Sequence, residues 1–176
     1  MDRSRLVALQ APIKERYRQD AAAARITLRA AGRLDSQDVV CSVETGRALV
    51  EAGLHPATGG GGLHACSGDM LLQALVACAG VTLRSVATSL ELDVAGAVRA
   101  EGDLDFRGTL GVDKDTPVGF QSIRLFFDLD TDAPPDQIAT LVRLTERYCV
   151  VYQTLRGGVP VTVAYSPGAA RDEDNA

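Results

Sequence analysis

The spacing of hydrophobic positions changes several times along the chain, and each change marks an element. Leu6, Val7, Leu9, Ile13 and Tyr17 recur at roughly helical spacing and Ala21 to Ala24 extend the run. This predicts a helix over 6–24 that Pro12 starts or kinks. The period then falls to two. Ile26, Leu28 and Ala30 share one face against Arg25, Thr27 and Arg29; Val39, Cys41 and Val43 alternate with Val40, Ser42 and Glu44. A third strand is expected over Arg47 to Ala52, with Gly32 and Gly46 punctuating an antiparallel meander. The following Gly59 to Gly62 run reads as a connector, because no Gly-Lys-Ser/Thr ends it as a phosphate loop requires.

Ser67 is read as the cap of a long helix reaching about Leu90, with Asp69 in its first turn. Up to Val81 this helix is apolar around nearly its whole circumference, so it must be buried on all sides. One small sheet covers one side, and a second subunit is the economical cover for the rest. Its apolar run, Met70 to Leu83, contains Gln73 and ends at Arg84. It reads as a core helix too short to span a bilayer.

Strands are predicted again over Val94 to Glu101, Asp103 to Leu110 and Ser122 to Leu129. In the last, Ile123, Leu125, Phe127 and Leu129 oppose Ser122, Arg124, Phe126 and Asp128. Pro134, Pro135 and Asp136 open a helix whose stripe is Ile138, Leu141, Val142, Thr145, Cys149 and Tyr152, and Gly157-Gly158 ends it. Val159, Val161, Val163 and Tyr165 alternate on a final strand. After the first helix the order is β-β-β-α-β-β-α-β, which favours an α+β fold with an antiparallel sheet. The expected division is a helical extension over 1–24, one domain over 25–166 and a disordered tail over 167–176.

Composition narrows the function. The 176 residues are 46% hydrophobic, enough for a sizeable core in one domain, and with no Trp that core must be largely aliphatic. A net charge of −5 leaves no concentrated basic face for nucleic acid or an anionic membrane. Met1-Asp-Arg-Ser-Arg precedes no secretory apolar core, so a cytoplasmic, reducing setting is expected, in which the four cysteines are thiols.

Two of those thiols carry the candidate chemistry. Cys78 lies midway along the apolar helix and Cys149 on the apolar stripe of the second helix. Such a pair points to thiol redox chemistry, with simple packing as the plain alternative. Cys78 is about three turns into its helix, beyond reach of the N-terminal dipole. Burial would raise its pKa, so a cation must be supplied. Cys66 stands just before the helix, where amides lower a thiol pKa, and is either a second reactive thiol or a loop residue. Cys41 alternates with core valines and reads as packing. His55, His64 and Cys66 lack a second ligand pair of standard spacing, so no metal is expected. No dinucleotide fingerprint, nucleophile elbow or zincin motif is present, so no cofactor is expected either.

The Leu-Leu-x-Ala-Leu-x-Ala-Cys string ending at Cys78, and Arg147-Tyr148-Cys149 followed by Thr154-Leu155, Gly157-Gly158 and Pro160-Val161, together resemble the OsmC/Ohr family of osmotically induced and organic-hydroperoxide-resistance proteins. The resemblance covers about Arg25 to Tyr165. It implies an intertwined homodimer with two long central helices between sheets built from both chains, and active sites at the subunit interface. It further implies a thiol-dependent peroxidase acting on small hydroperoxides. Cys78 would attack, Cys149 would resolve, and an external dithiol would reduce the disulfide. Arg33, in the Ala31-Gly32-Arg33-Leu34 turn, corresponds to the catalytic Arg, with Arg29 and Arg84 as rivals, and Asp69 would orient it. Two departures place the chain nearer the general OsmC-like branch. Ser67-Gly68 stands where the peroxidases carry Pro-Glu, and Val150 where Pro usually follows the second cysteine. The alternative function is a non-catalytic dimer binding a small apolar or electrophilic ligand at the interface. Cysteine sulfurs within disulfide reach favour the peroxidase; an exposed Arg33 far from Cys78 favours the binder.

Overall fold

A computed structural model describes residues 3–34, 41–43 and 52–164 of the chain. The first predicted helix is a helix and a turn. Helix α1 (Arg3–Gln19) carries Pro12 inside it, and a 3-10 turn follows at Ala21–Ala24. Asp20 separates the two. Its backbone is extended and its carboxylate accepts the Ala22 N–H at 2.9 Å, so the side chain offers the amide an alternative to the helix ladder. Tyr17 is fully buried with Ala24, Phe106 and Leu110, and its hydroxyl donates to the Ala57 carbonyl at 2.7 Å. That contact docks α1 onto the rest of the chain.

Four antiparallel strands, β1 (Arg25–Leu34), β2 (Cys41–Val43), β3 (Ala95–Asp105) and β4 (Phe120–Asp130), form one sheet in the order β2-β1-β3-β4. Strand β1 runs past the predicted turn. Gly32 and Arg33 lie within it, paired with Val98 and Ala97 of β3 and with Val43 and Ser42 of β2. A small residue in a strand carries no turn signal when both neighbours hold its backbone. The third strand expected at 47–51 lies outside the described residues, and Ala52 makes an isolated parallel bridge to Ala65.

Strand β3 replaces two predicted strands. Gly102 does not interrupt it, because the Phe120 ring from β4 occupies the space a Cβ would need. The strand ends instead at Asp105, which is buried and accepts the Arg107 N–H at 3.1 Å while pairing with its guanidinium at 2.8 Å. That capped turn opens α3 (Phe106–Thr109) where the strand was expected to continue to Leu110.

Helix α2 (Ser67–Ser89) crosses the sheet, with Cys66 rather than Ser67 at its N-cap. Leu72, Leu75, Val76 and Ala79 bury against Val98 and Ala100, and Leu83 and Ala87 bury with Val94 and Leu141. Contrary to the expectation from Met70 to Leu83 alone, the whole 23-residue helix is long and apolar enough by composition to cross a membrane. Its inner face is packed as a core helix instead. Its outer face is not covered: Leu71 is 38% and Val81 40% exposed.

The predicted final helix is broken in two. Helix α4 (Pro135–Tyr148) starts on Pro135 and ends at Cys149, whose backbone is extended (φ −71°, ψ 108°); α5 (Val150–Gly157) then begins. Gln153 spans the break, its amide nitrogen donating to the Glu146 carbonyl at 2.7 Å. No strand forms over 159–164 among the described residues, and Val163 is 90% exposed. The alternation is real, but the strand that would pair with it is not supplied by the described part of this chain.

Tyr17→Phe keeps the ring and deletes the bond to Ala57. It is expected to lower the unfolding free energy by about 1 kcal/mol in urea titration, and an unchanged midpoint would show that α1 is not docked by this bond.

Candidate functional site

The site begins with where α2 and the α4–α5 break meet. Cys78 lies on the rim of the core cluster formed by Leu72, Leu75, Val76, Ala79, Val98, Ala100 and Cys149, with Val151, Tyr152 and Leu155 of α5 packed on the same cluster. Cys149 is buried and Cys78 half-buried, and both are free thiols. The structure therefore brings the two predicted cysteines together on one core cluster.

Their electrostatics differ. Burial pushes the Cys78 thiol up and is the largest single effect. It is outweighed by donors aimed at the sulfur: the Val151 N–H, the Cys149 thiol, the Val150 N–H and the Thr82 hydroxyl, one turn along α2. The net pKa lies below the ordinary thiol value. Cys149 is pushed up to about 11, first by burial and then by its bond to Cys78 and the charge there. The Tyr152 N–H, which caps α5 by donating to Cys149 Sγ at 3.4 Å, offsets this only in part. One sulfur is thus prepared to carry negative charge while the other is held protonated beside it.

The sequence placed both thiols on helices but did not point to the groups that lower the Cys78 pKa. The dipole at the head of α2 is too far away, and a side-chain cation was expected instead. Two of those groups, the Val151 and Val150 amides, sit at the head of α5, where the apolar stripe predicts helix interior. One signal was available: a Pro after the second cysteine, usual in the resembling family, is itself a first-turn marker. Val150 carries that position here without the marker.

The other predicted residues fall elsewhere. Arg33 lies in β1 and its side chain is outside the described residues, as is that of Arg29. Arg84 donates to the Val94 carbonyl at 3.2 Å, at the α2–β3 connection. Asp69 is nine residues before Cys78, roughly 13 Å along the helix axis. Its pKa is raised by burial, with the His55 charge pulling the other way. His55 is itself engaged, accepting the Ala57 N–H at 3.0 Å and stacking on Phe106 with ring centroids 5.2 Å apart. Cys66 is half-buried against the core cluster and makes no capping bond with its side chain. Among the described residues no three His, Cys, Asp or Glu side chains form a metal-sized group.

Fold and site together define an α+β protein with a paired, unequal dithiol at the junction of a central helix and a helix break. The family model for OsmC-like protein matches residues 59–164, more than half of the chain, and the chain belongs to that family. No curated protein matches it. Among solved structures it is similar to an OsmC-like hydroperoxide resistance protein from Jannaschia sp. CCS1. The TM-score is 0.53 and the identity 16%, over 84% of this chain and 97% of that one. At that identity the likeness establishes the α+β fold.

Residue-resolved alkylation by iodoacetamide, read by mass spectrometry, checks the asymmetry. Cys78 is expected to react at lower pH than an unperturbed thiol, and Cys149 to stay unreactive until near pH 11. Cys149→Ala removes a donor and should raise the Cys78 midpoint. A common midpoint for both thiols would refute the arrangement.

Proposed function

We propose that this chain is a thiol-dependent peroxidase that reduces small organic hydroperoxides, with Cys78 attacking and Cys149 resolving. The observation that carries the reading is the packing of the two free thiols on one core cluster at the junction of α2 and α5, and their opposed pKa directions support it. The Cys78 thiolate attacks the terminal peroxide oxygen, the O–O bond breaks, and the alkoxide leaves and takes a proton as alcohol. Cys78 is then a sulfenic acid. The Cys149 sulfur attacks it, releasing water and forming the disulfide, and an external dithiol returns both thiols by exchange. Arg33 remains the candidate cation for polarising the peroxide.

A cavity of about 480 Å³ lies between α2 and α4, lined by Val81, Thr82, Val86, Leu144 and Tyr148 among others. Thr82 joins it to Cys78, so the apolar part of a substrate has a place beside the thiolate. The same cavity supports the second reading, a non-catalytic binder of a small apolar or electrophilic ligand. The family match and the hydroperoxide-resistance name of the similar structure favour the first at the level of the family.

The working form is proposed to be a cytoplasmic homodimer. Leu71, Ala74, Cys78, Val81, Ser85 and Thr88 follow one another in steps of three and four along the less buried face of α2. That is the seam period of packed helices. The exposed valines at 159, 161 and 163 add an apolar segment in want of a partner sheet.

Stopped-flow mixing of reduced protein with cumene hydroperoxide tests the chemistry. Rapid formation of a Cys78–Cys149 disulfide is expected. Cys78→Ser should abolish oxidation, and Cys149→Ser should stop it at the sulfenate. Oxidation no faster than that of a free thiol would transfer the assignment to the binding role. Sedimentation tests the assembly: a dimer is expected at micromolar concentration, with Leu71→Asp shifting it to monomer. A wild-type monomer would remove the seam argument.

A further inference from the structure

We propose that the cavity between β4 and α5 is a binding site for an aliphatic carboxylate of medium chain length, with Arg156 receiving the carboxylate. The cavity measures about 410 Å³, within the roughly 300–1,000 Å³ common for small-molecule sites. It shares no lining residue with the cavity beside Thr82, and neither Cys78 nor Cys149 lines it. The proposal is therefore independent of the peroxidase reading.

Three elements make the walls. Leu75 comes from α2, Ile123 and Leu125 from β4, and Tyr152 and Leu155 from α5. Leu75 is buried, so the core fixes the floor. A β-bulge shapes one end: Asp103 pairs with Ser122 and Leu104 with Phe120, which leaves Gln121 between them as the extra residue with no partner on β3. The Phe120 ring lies close over Gly102, and both Phe120 and Gln121 line the cavity. Walls of aliphatic side chains and rings require an apolar body in whatever fills them.

Charge selects the other end of the ligand. Arg156 is the one charged residue in the lining, in a chain whose net charge is −5. It is exposed, and among the described residues it has no ion-pair partner. Asp103, on the neighbouring strand, is already committed to Arg124 and to the Ser122 hydroxyl, which donates to it at 2.6 Å. A guanidinium meets a carboxylate through two parallel N–H donors. Arg156 stands in the last turn of α5, at the negative end of that helix's dipole. A carboxylate there gains nothing from the backbone and depends on the guanidinium. Residues 159–164, the exposed apolar segment after α5, carry no carboxylate to take its place.

Titration of the reduced protein with decanoate, followed by calorimetry and by amide shifts in ¹⁵N-labelled protein, tests the proposal. Saturable binding is expected, with the largest shifts at Gln121, Ile123, Leu155 and Arg156. Because Arg156 is exposed, Arg156→Gln should keep the circular dichroism spectrum and weaken decanoate about fivefold. Arg156→Lys should restore most of that loss, and the neutral decan-1-ol should bind wild type and Arg156→Gln alike. Decanoate affinity indifferent to Arg156→Gln overturns the proposal, as does the lack of binding at millimolar decanoate. Shifts confined to Val81, Thr82, Leu144 and Tyr148 would put the ligand in the other cavity and overturn it too. Binding to the Leu71→Asp monomer but not to a wild-type dimer would show that a second copy fills this cavity, with the same consequence.

Discussion

The constraint on which the rest of the structure depends is the burial of α2. A 23-residue helix apolar on most of its faces has no stable place in water. Each fully buried Leu or Val on its inner face gains about 1.5–3 kcal/mol over exposure. The sheet supplies that cover through Val98 and Ala100, while Val94 and Leu141 supply it nearer the C-terminal end. Gly102 lets Phe120 lie close over β3, tightening the same layer. The row through Leu71 and Val81 is left to solvent, and Cys78 stands on its edge. The place of Cys78 is thus set by packing: it is where the covered face of the helix meets the uncovered one.

That position poses an electrostatic problem, and the break at Cys149 answers it. Burial alone would hold both thiols protonated and inert. A continuous helix through 149 would commit the Val150 and Val151 amides to α4 carbonyls. By ending α4 at Tyr148 the chain frees them, and the Cys149 thiol adds a third donor. The donors serve one sulfur only. Cys149, receiving a single amide and facing the charge on Cys78, is driven the other way. The same few atoms therefore create the contrast between the two thiols.

The fold was largely legible in the sequence because period two and the all-round apolar pattern of α2 are strong signals. The β4 alternation and the long helix came through directly. Misread elements share a physical cause. Gly32 and Gly102 look like punctuation, yet one is held by strands on both sides and the other makes room for a ring from β4. The Ile138 to Tyr152 stripe is helical in period on both sides of Cys149, so periodicity does not register the one extended residue between α4 and α5. At the candidate site, Cys78 and Cys149 reveal themselves by residue type, and the structure packs them on one cluster. The amides of Val150 and Val151 do not reveal themselves, since a backbone donor has no signature in its side chain.

The unequal thiols also bear on how the proposed cycle closes. Exchange is fastest when the departing sulfur has the lower pKa, which favours attack on Cys149 with Cys78 leaving. Access says the opposite, because Cys149 is 1% exposed and Cys78 is half-buried at the open face. A reductant arriving at the native surface meets Cys78 first and must expel the poorer leaving group. The Cys149 sulfur, however, also caps α5, and forming the disulfide replaces the thiol that donated to Cys78 while keeping the sulfur in place. The head of α5 then loses the thiolate its amides were serving. In the proposed cycle, oxidation thereby removes a stabilising partner from the head of α5, one of the elements packed around Cys149, and makes that sulfur easier to reach in the state in which a reductant must reach it.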